Sequence, residues 1–503
     1  MTARKPKAPR YSLVVPLYNT PQWLLAETVG SVTSQTFTDW ELVLVDDHSP
    51  VRETVDHATA LAAEDARITV VALPENRGIS GASNAGLEAA TGEFIALLDH
   101  DDTITTDALQ RFETVLAGNP EVDYAYSDQD LLSGDGSVAY GDFRKPAWSP
   151  ERFLGQMYTS HLSVFRRALL AETGLFRQAF DGSQDHDLLL RISERARAVA
   201  HVPGVLYHWR AIEGSTAQDG NAKAYAWEAG RGAVAEAVRR RGLGADVVLG
   251  PSFGTFLPRR RATLERTSVV VVLDGAPDPI IATSRTWRED PPLDLIAVAA
   301  ESTAPEWRDD LRAAGFTVHR VPAGSSRAAL LQLGAVHANG DAIVFVSSDV
   351  QTTSDDLRQL VGPLTEDGVG LTGGRLTHEG AIAHAGFRQR TDELRDAYRS
   401  APARHPGHYG DLTVNREVSA VSSRFAAIGR DRFFELGGFT TEADEFSADL
   451  DLALKVRSRG DRVLSLVSAV GTTSTVADST PSAAGTDLIA ARWGWPAVDP
   501  YIR

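Results

Sequence analysis

The sequence predicts an α/β protein built as two tandem domains, each around a mostly parallel central sheet. Three observations lead there. Short runs that are almost wholly apolar recur between helix-compatible stretches in the first 110 residues. The second half repeats the pattern of the first. A stretch without periodicity, rich in Gly, Pro and Arg, lies between them at 243–266.

The apolar runs are YSLVVPLYN, ELVLVDD, RITVVAL and FIALLD. Strands exposed on one face alternate apolar and polar residues, whereas these do not. Their pattern is that of strands buried on both faces, in a parallel sheet covered by helices. PQWLLAETVGSVTSQ, with Pro21 near its start, reads as the first helix. Residues 223–242 read as another, closed by Gly242. These elements give a domain at 1–242, a linker at 243–266 and a second domain at 267–503. The expected architecture is an open α/β sandwich, in which ligands sit at the carboxyl ends of strands near a topological switch point.

The repeat is direct. GEFIALLDHDDTITTDAL, from Gly92, aligns without a gap with GDAIVFVSSDVQTTSDDL, from Gly340. WELVLVDDHS pairs with LDLIAVAAES, and SQDHDLLLR with SADLDLALK. A repeat this long is a duplicated domain rather than a solenoid.

Composition narrows the function. The chain has 503 residues, 43% of them hydrophobic, a formal net charge of −17 and no cysteine. The acidic balance argues against general nucleic-acid binding. The absence of Cys removes disulfides and thiolate metal sites. No apolar run approaches the ~18 residues of a membrane span, and no apolar stretch follows the basic MTARKPKAPR. A cytoplasmic setting is the default. Two basic clusters, Arg4, Lys5, Lys7 and Arg10, and Arg259, Arg260 and Arg261, read either as solvated charge or as contacts to anionic lipid at the membrane's inner face.

The chemistry gathers in acidic clusters. Asp99-His100-Asp101-Asp102 directly follows FIALL. Residues i and i+2 of an extended segment point the same way, so Asp99 and Asp101 can present two carboxylates to one point. Hard oxygen ligands at a sheet's mouth suit Mg²⁺ or Mn²⁺ shared with phosphates; an acidic turn capping the next helix is the other reading. Asp46 and Asp47 end another strand, where a carboxylate can accept from a base or ribose, or simply make a turn. Asp185 and Asp187 open a helix, as caps or with one of them a general base. His208 is either a packed histidine or a metal contact.

VVPLYN, SVTSQTFTDWELVLVDDHSP, NRGISGASNAG and GEFIALLDHDD, in that order, resemble the start of a family 2 glycosyltransferase. That family has the Rossmann-like, type A nucleotide-diphospho-sugar transferase (GT-A) fold. KPAWSPERFLGQMYTSHLSVFRR, GLFRQAFDGSQDHDLLLR and LYHWRAIEGSTA resemble the bacterial branch that builds rhamnose-rich and other surface polysaccharides. The resemblance covers residues 11 to about 220. It implies donor-nucleotide contacts at Pro16, Tyr18, Asp46, Asp47 and Asn76. It implies an Asp-X-Asp metal motif at Asp99 and Asp101, with His208 as a third contact to Mn²⁺ or Mg²⁺. Asp185 becomes the catalytic base, and His161, Gln184 and Trp209 fall at the acceptor. The implied reaction is inverting transfer from a nucleotide-diphospho-sugar, dTDP-rhamnose or a UDP-sugar, to a glycan or lipid-linked hydroxyl.

The second half departs from this pattern. Ala299 and Ala300 stand for Asp46 and Asp47, and Ser347 for Asp99, while Asp349 and Asp449 retain the positions of Asp101 and Asp185. No His near Thr472 matches His208. A degenerate domain of the same fold is expected there, serving packing, acceptor binding or dimerisation. The alternatives are a second active site, a nucleotidyl transferase, which VVPLYNTPQ disfavours for want of a Gly- and Arg-rich phosphate loop, and a non-enzymatic scaffold.

Overall fold

A computed structural model describes residues 8–212, 224–273, 275–287, 292–390, 393–476, 480–494 and 501. The chain divides into two compact units. Unit 1 comprises Met1–Trp148, Gln156–Ala237 and the last residue; unit 2 comprises Ser149–Gly155 and Val238–Ile502.

Unit 1 is a nine-stranded sheet with helices between its strands. The strands are β1 (Tyr11–Leu17), β2 (Trp40–Asp46), β3 (Ile68–Ala72), β4 (Phe94–Leu97), β5 (Thr103–Ile104), β6 (Val122–Ser133), β7 (Ala139–Phe143), β8 (Ser163–Arg166) and β9 (Ala198–Ala211). Their order is β3-β2-β1-β4-β8-β6-β9-β5, with β7 against β6. β3, β2, β1 and β4 are mutually parallel. β8 runs antiparallel between β4 and β6. The parallel core is apolar on both faces, as the unbroken runs require. Leu13, Val15, Leu42 and Leu44 enter one core, while Val43 and Val45 pack with Ala82 on the other. The chain runs outward from β1 to β3 and then returns to β4 on the far side of β1. The crevice between the carboxyl ends of β1 and β4 is therefore the switch point where an α/β sheet takes its ligand.

Unit 2 begins with an antiparallel pair, β10 (Ala245–Leu249) and β11 (Phe256–Arg260). This pair occupies the stretch read from sequence as a linker. The main sheet contains β12 (Thr267–Val272), β13 (Asp294–Ala300), β14 (Thr317–Val321), β15 (Ala342–Ser347), β16 (Val350–Gln351), β17 (Val369–His378), β18 (Ala381–His384), then, beyond a separate two-stranded pair β19 (Phe387–Arg390) and β20 (Glu393–Asp396), β21 (Arg416–Glu417), β22 (Phe425–Gly429) and β23 (Arg462–Thr473). Its order, β14-β13-β12-β15-β22-β17-β23-β16, is that of unit 1 position by position. The repeat extends to single contacts. A Cβ on Gly86 would lie 2.4 Å from Val14 Cγ1, and one on Gly334 2.2 Å from Val270 Cγ1.

The short helix Pro150–Gly155 belongs to unit 2, although the sequence reading put it in the first domain. Its Glu151 is buried and would be costly without a partner. Arg260 supplies one, with Nη1 and Nη2 donating to the carboxylate at 2.6 and 2.7 Å. Glu417 accepts from the Glu151 amide and the Ser149 hydroxyl. Of the second basic cluster, Arg260 is thus buried in ion pairs with Glu151 and Glu366, while Arg259 and Arg261 face Asp355 and Asp246. In the first cluster, Arg10 is paired with Glu93 and Glu113; Arg4, Lys5 and Lys7 lie outside the described residues. Among the described residues no helix is long and apolar enough to cross a membrane.

Candidate active site

The unit 1 site is built where β1, β2 and β4 end. Leu17, the last residue of β1, pairs with Asp46. Pro16 is partly exposed and Tyr18 is 49% exposed at the rim. Asp46 and Asp47 are both buried. One Asp46 oxygen accepts from the Ser49 amide at 3.1 Å; the other is buried with no partner. Asp47 accepts from the Arg77 amide at 2.7 Å, and its carbonyl accepts from the Asn76 side chain at 3.0 Å. Asn76 and Asp47 therefore hold two loops together, and the unsatisfied oxygen belongs to Asp46. A buried acceptor left open at a crevice is a place for a ligand donor.

The loop after β4 is organised by Asp102, which the sequence reading left without a role. Asp102 is fully buried. It accepts from the Tyr207 hydroxyl and, at 2.7 Å, from the Arg210 amide. Arg210 also donates to the Asp101 carbonyl at 2.8 Å and to Glu27 at 2.5 Å, while Thr28 donates to the His100 carbonyl at 2.9 Å. With the backbone fixed from several sides, the Asp99 side chain stays 44% exposed. Burial raises the Asp101 carboxyl above its ordinary value, and the charge of Asp99 adds to this. Two carboxylates that repel each other at a strand end fit a divalent cation, which would relieve the repulsion.

Asp185 lies in the first turn of the helix Gln184–Ser193. Burial, with Asp99 adding, pushes its carboxyl up to about 7. Its side-chain hydrogen bond comes from the Gln184 amide at 3.3 Å. Asp187, two residues on, is a structural group: fully buried and ion-paired to Arg177 and Arg191. Among the described residues the helix thus separates one carboxylate held by guanidinium groups from one held by a side-chain amide.

His161 completes this side of the site. Its Nε2 is 3.5 Å from Asp99 Oδ2, and its ring stacks on Tyr207 at 4.7 Å and meets Trp209 edge-on at 6.3 Å. Burial lowers its imidazole below the ordinary value. The loop carrying it is held by Lys145, a fully buried lysine whose Nζ donates to the carbonyls of Thr159 and His161, each at 2.6 Å. Nothing local in the sequence marks Lys145 or Tyr207, because their partners arrive from distant segments. His208 Nδ1 lies 2.6 Å from Asp130. Among the described residues no three His, Asp or Glu side chains converge as a metal site; the contact of His208 with Asp130 is made by Nδ1 and does not involve Nε2. Of the LYHWRAIEGSTA segment, residues 213–217 lie outside the described residues.

Unit 2 keeps the same frame with different groups. β4 pairs with β8, and β15 with β22, in matching register. That register puts Arg424 where unit 1 has His161, and Asp349 where it has Asp101. Strands β16 and β23 put Thr472 and Thr473 where unit 1 has His208 and Trp209. One Asp349 oxygen accepts from the hydroxyls of Thr473 and Thr475, at 2.5 and 2.6 Å. Arg424 Nη1 lies 3.9 Å from the other oxygen. Burial would raise this carboxyl, but the two hydroxyls and Arg424 outweigh it and hold it below its ordinary value.

Residues 12–174, which apart from Ser149–Gly155 lie in unit 1, match the family described as Glycosyl transferase family 2. Over 482 residues the chain is 34% identical to "Uncharacterized protein y4gI" of Sinorhizobium fredii, covering 92% of this chain and 52% of that one. It is 28% identical to "O-antigen biosynthesis protein RfbC" of Myxococcus xanthus, covering 92% of this chain and 37% of that one. The chain therefore spans about half or less of the length of these relatives. Among solved structures, S. aureus TarS 1-349 in complex with UDP-GlcNAc matches with a TM-score of 0.38 at 20% identity, over 46% of this chain and 66% of that one.

Proposed function

We propose that unit 1 transfers a sugar, with inversion, from a nucleotide-diphospho-sugar to a hydroxyl of a growing surface glycan or lipid-linked acceptor. The carrying observation is that Asp185, raised to about 7 and without an ion-pair partner among the described residues, stands in the field of Asp99 at the switch-point crevice of a domain that matches family 2. Asp185 takes the proton of the acceptor hydroxyl as its oxygen attacks the anomeric carbon. The bond from that carbon to the diphosphate breaks, and the nucleoside diphosphate leaves with the electron pair. A divalent cation, Mn²⁺ or Mg²⁺ between Asp99, Asp101 and the diphosphate, would neutralise the leaving group. Asp46 and Asp47 would receive the nucleotide at the end of β2, with Pro16 and Tyr18 beside them. His161, Gln184 and Trp209 would face the acceptor. A dTDP-rhamnose or UDP-sugar donor is favoured by the motif resemblance, and the "O-antigen biosynthesis" name of one relative supports a surface glycan as product.

We read unit 2 as non-catalytic. Alanines stand at both nucleotide carboxylates, Ser347 replaces Asp99, and Arg424 stands beside the one retained motif carboxylate. A diphosphate would gain no cation site there.

The test is nucleotide release from UDP-, GDP- and dTDP-sugars by the full chain with Mn²⁺. Turnover of at least one donor, abolished by EDTA, is expected. Full turnover in EDTA would remove the metal from the reading, and no turnover of any donor, with a polysaccharide extract supplied as acceptor, would remove the transferase.

A further inference from the structure

Two histidine–aspartate pairs join β6 to β9, and they use different ring nitrogens. His201 meets Asp128 through Nε2 at 2.6 Å, and both side chains are buried, at 4% and 2% exposed. That pair is enclosed in the packing. His208 meets Asp130 through Nδ1, also at 2.6 Å. Here the carboxylate is buried, at 7% exposed, while the imidazole is 26% exposed. Nε2, on the far edge of the ring, makes no hydrogen bond among the described residues.

The exposed pair is stitched to the loop that carries Asp99 and Asp101. The strand partner of His208 is Thr103, two residues after Asp101. Arg210, two residues further along β9, donates its amide to Asp102 at 2.7 Å and its Nε to the Asp101 carbonyl at 2.8 Å. In unit 2 both members of the pair are different. Asp130 stands opposite His208 on β6 and β9, whereas the matching positions of β17 and β23 hold Thr377 and Thr472, hydroxyl to hydroxyl at 3.5 Å. The pair is thus absent from the copy that also has Ser347 in place of Asp99. A carboxylate can only accept from the ring, so the shared proton belongs to Nδ1. In the neutral ring the lone pair is then on Nε2, the form that binds a metal ion. A carboxylate in this position fixes the tautomer and orientation of a metal-binding histidine and raises its basicity.

We propose that Asp130 is a positioning residue for the cation of unit 1: it holds His208 by Nδ1 and so presents Nε2 as a nitrogen ligand beside the carboxylates of the loop after β4. The proposal rests on the reading of unit 1 as a cation-using transferase. Asp130 acts through His208 and touches neither the ion nor the substrate.

The test is titration of the full chain with Mn²⁺ in the presence of UDP, GDP or dTDP, followed by loss of the EPR signal of the free ion. With at least one nucleotide the unmutated chain should bind Mn²⁺, and Asp101→Ala should not. Asp130→Ala should weaken Mn²⁺ binding ~10–100-fold. Asp130→Asn, whose amide oxygen can still accept from Nδ1, should weaken it less. In a His208→Ala chain, Asp130→Ala should cause no further loss, because the ring it positions is gone. Each variant is checked for folding by its thermal transition. If Asp130→Ala does not fold, Asp130→Thr, with the residue type that unit 2 has there, replaces it with the same expectation. The proposal is overturned if the folded variant binds Mn²⁺ as the unmutated chain does, or if it costs as much in the His208→Ala chain as in the unmutated one. Either result, with binding still lost in Asp101→Ala, would remove Asp130 alone and leave the cation reading in place. No Mn²⁺ binding by the unmutated chain with any of the three nucleotides would remove both.

Discussion

At the residue scale, the reaction proposed for unit 1 depends on five carboxylates. Asp46 ends β2 with Asp47 next to it, Asp99 and Asp101 lie in the loop after β4, and Asp185 is in the first turn of a helix. The sequence could not show which oxygens are spent. Asp47 and Asn76 are engaged with neighbouring loops, Asp46 has the open oxygen, and the Nδ1 of His208 faces Asp130. Nor could it show that Asp102 and Lys145, buried and bonded to remote backbone, set the geometry of their more exposed neighbours. Asp185→Asn preserves shape but cannot accept a proton. Turnover should drop ~10²–10⁴-fold, with donor affinity near normal by calorimetry; a joint collapse of both would make Asp185 a ligand or a structural group. Only the ionised carboxylate acts as base, and its fraction grows as pH rises through about 7. Turnover by the unmutated chain should therefore climb through that region and level off above it. A pH–rate profile flat from 6 to 8 would assign the base elsewhere.

At the element scale, the unbroken apolar runs gave the parallel strands, since burial on both faces leaves no room for alternation. Two elements escaped. β10 and β11 are short strands separated by Pro251, Gly250 and Gly254, a composition that reads as loop when the pairing is unseen. The helix Pro150–Gly155 sits in unit 2 because of Arg260 and Glu417, each more than 100 residues away in sequence. Removing one partner of such a buried pair strands the other charge. Glu151→Ala should cost about 3 kcal/mol in urea unfolding of the full chain; a change under about 0.5 kcal/mol would show that Glu366 alone satisfies Arg260. Helix–sheet packing gives a second check. Gly86→Ala and Gly334→Ala each force a methyl into a valine, and each should destabilise by about 1–3 kcal/mol. Neutral behaviour of either would mean that its helix shifts freely on its sheet.

At the scale of the whole molecule, one fold occurs twice, and the proposed chemistry falls to the first copy. The sequence showed the repeat through matched strands and through carboxylates lost from the second copy. It did not show that Arg424 replaces His161, because that correspondence depends on strand register and not on gapless alignment. On the proposed reading the unit 1 acids take a cation and a diphosphate, whereas in unit 2 Asp349 has Arg424 and two threonines beside it. The full chain should therefore bind one nucleoside diphosphate and not two. The most direct measurement is calorimetric titration of the full chain with UDP, GDP and dTDP in Mn²⁺, unmutated and as Asp101→Ala. Expected is one site per chain for at least one nucleotide, lost in Asp101→Ala and in EDTA. Two sites in the unmutated chain, or one that persists in Asp101→Ala, would contradict the assignment of donor binding to unit 1.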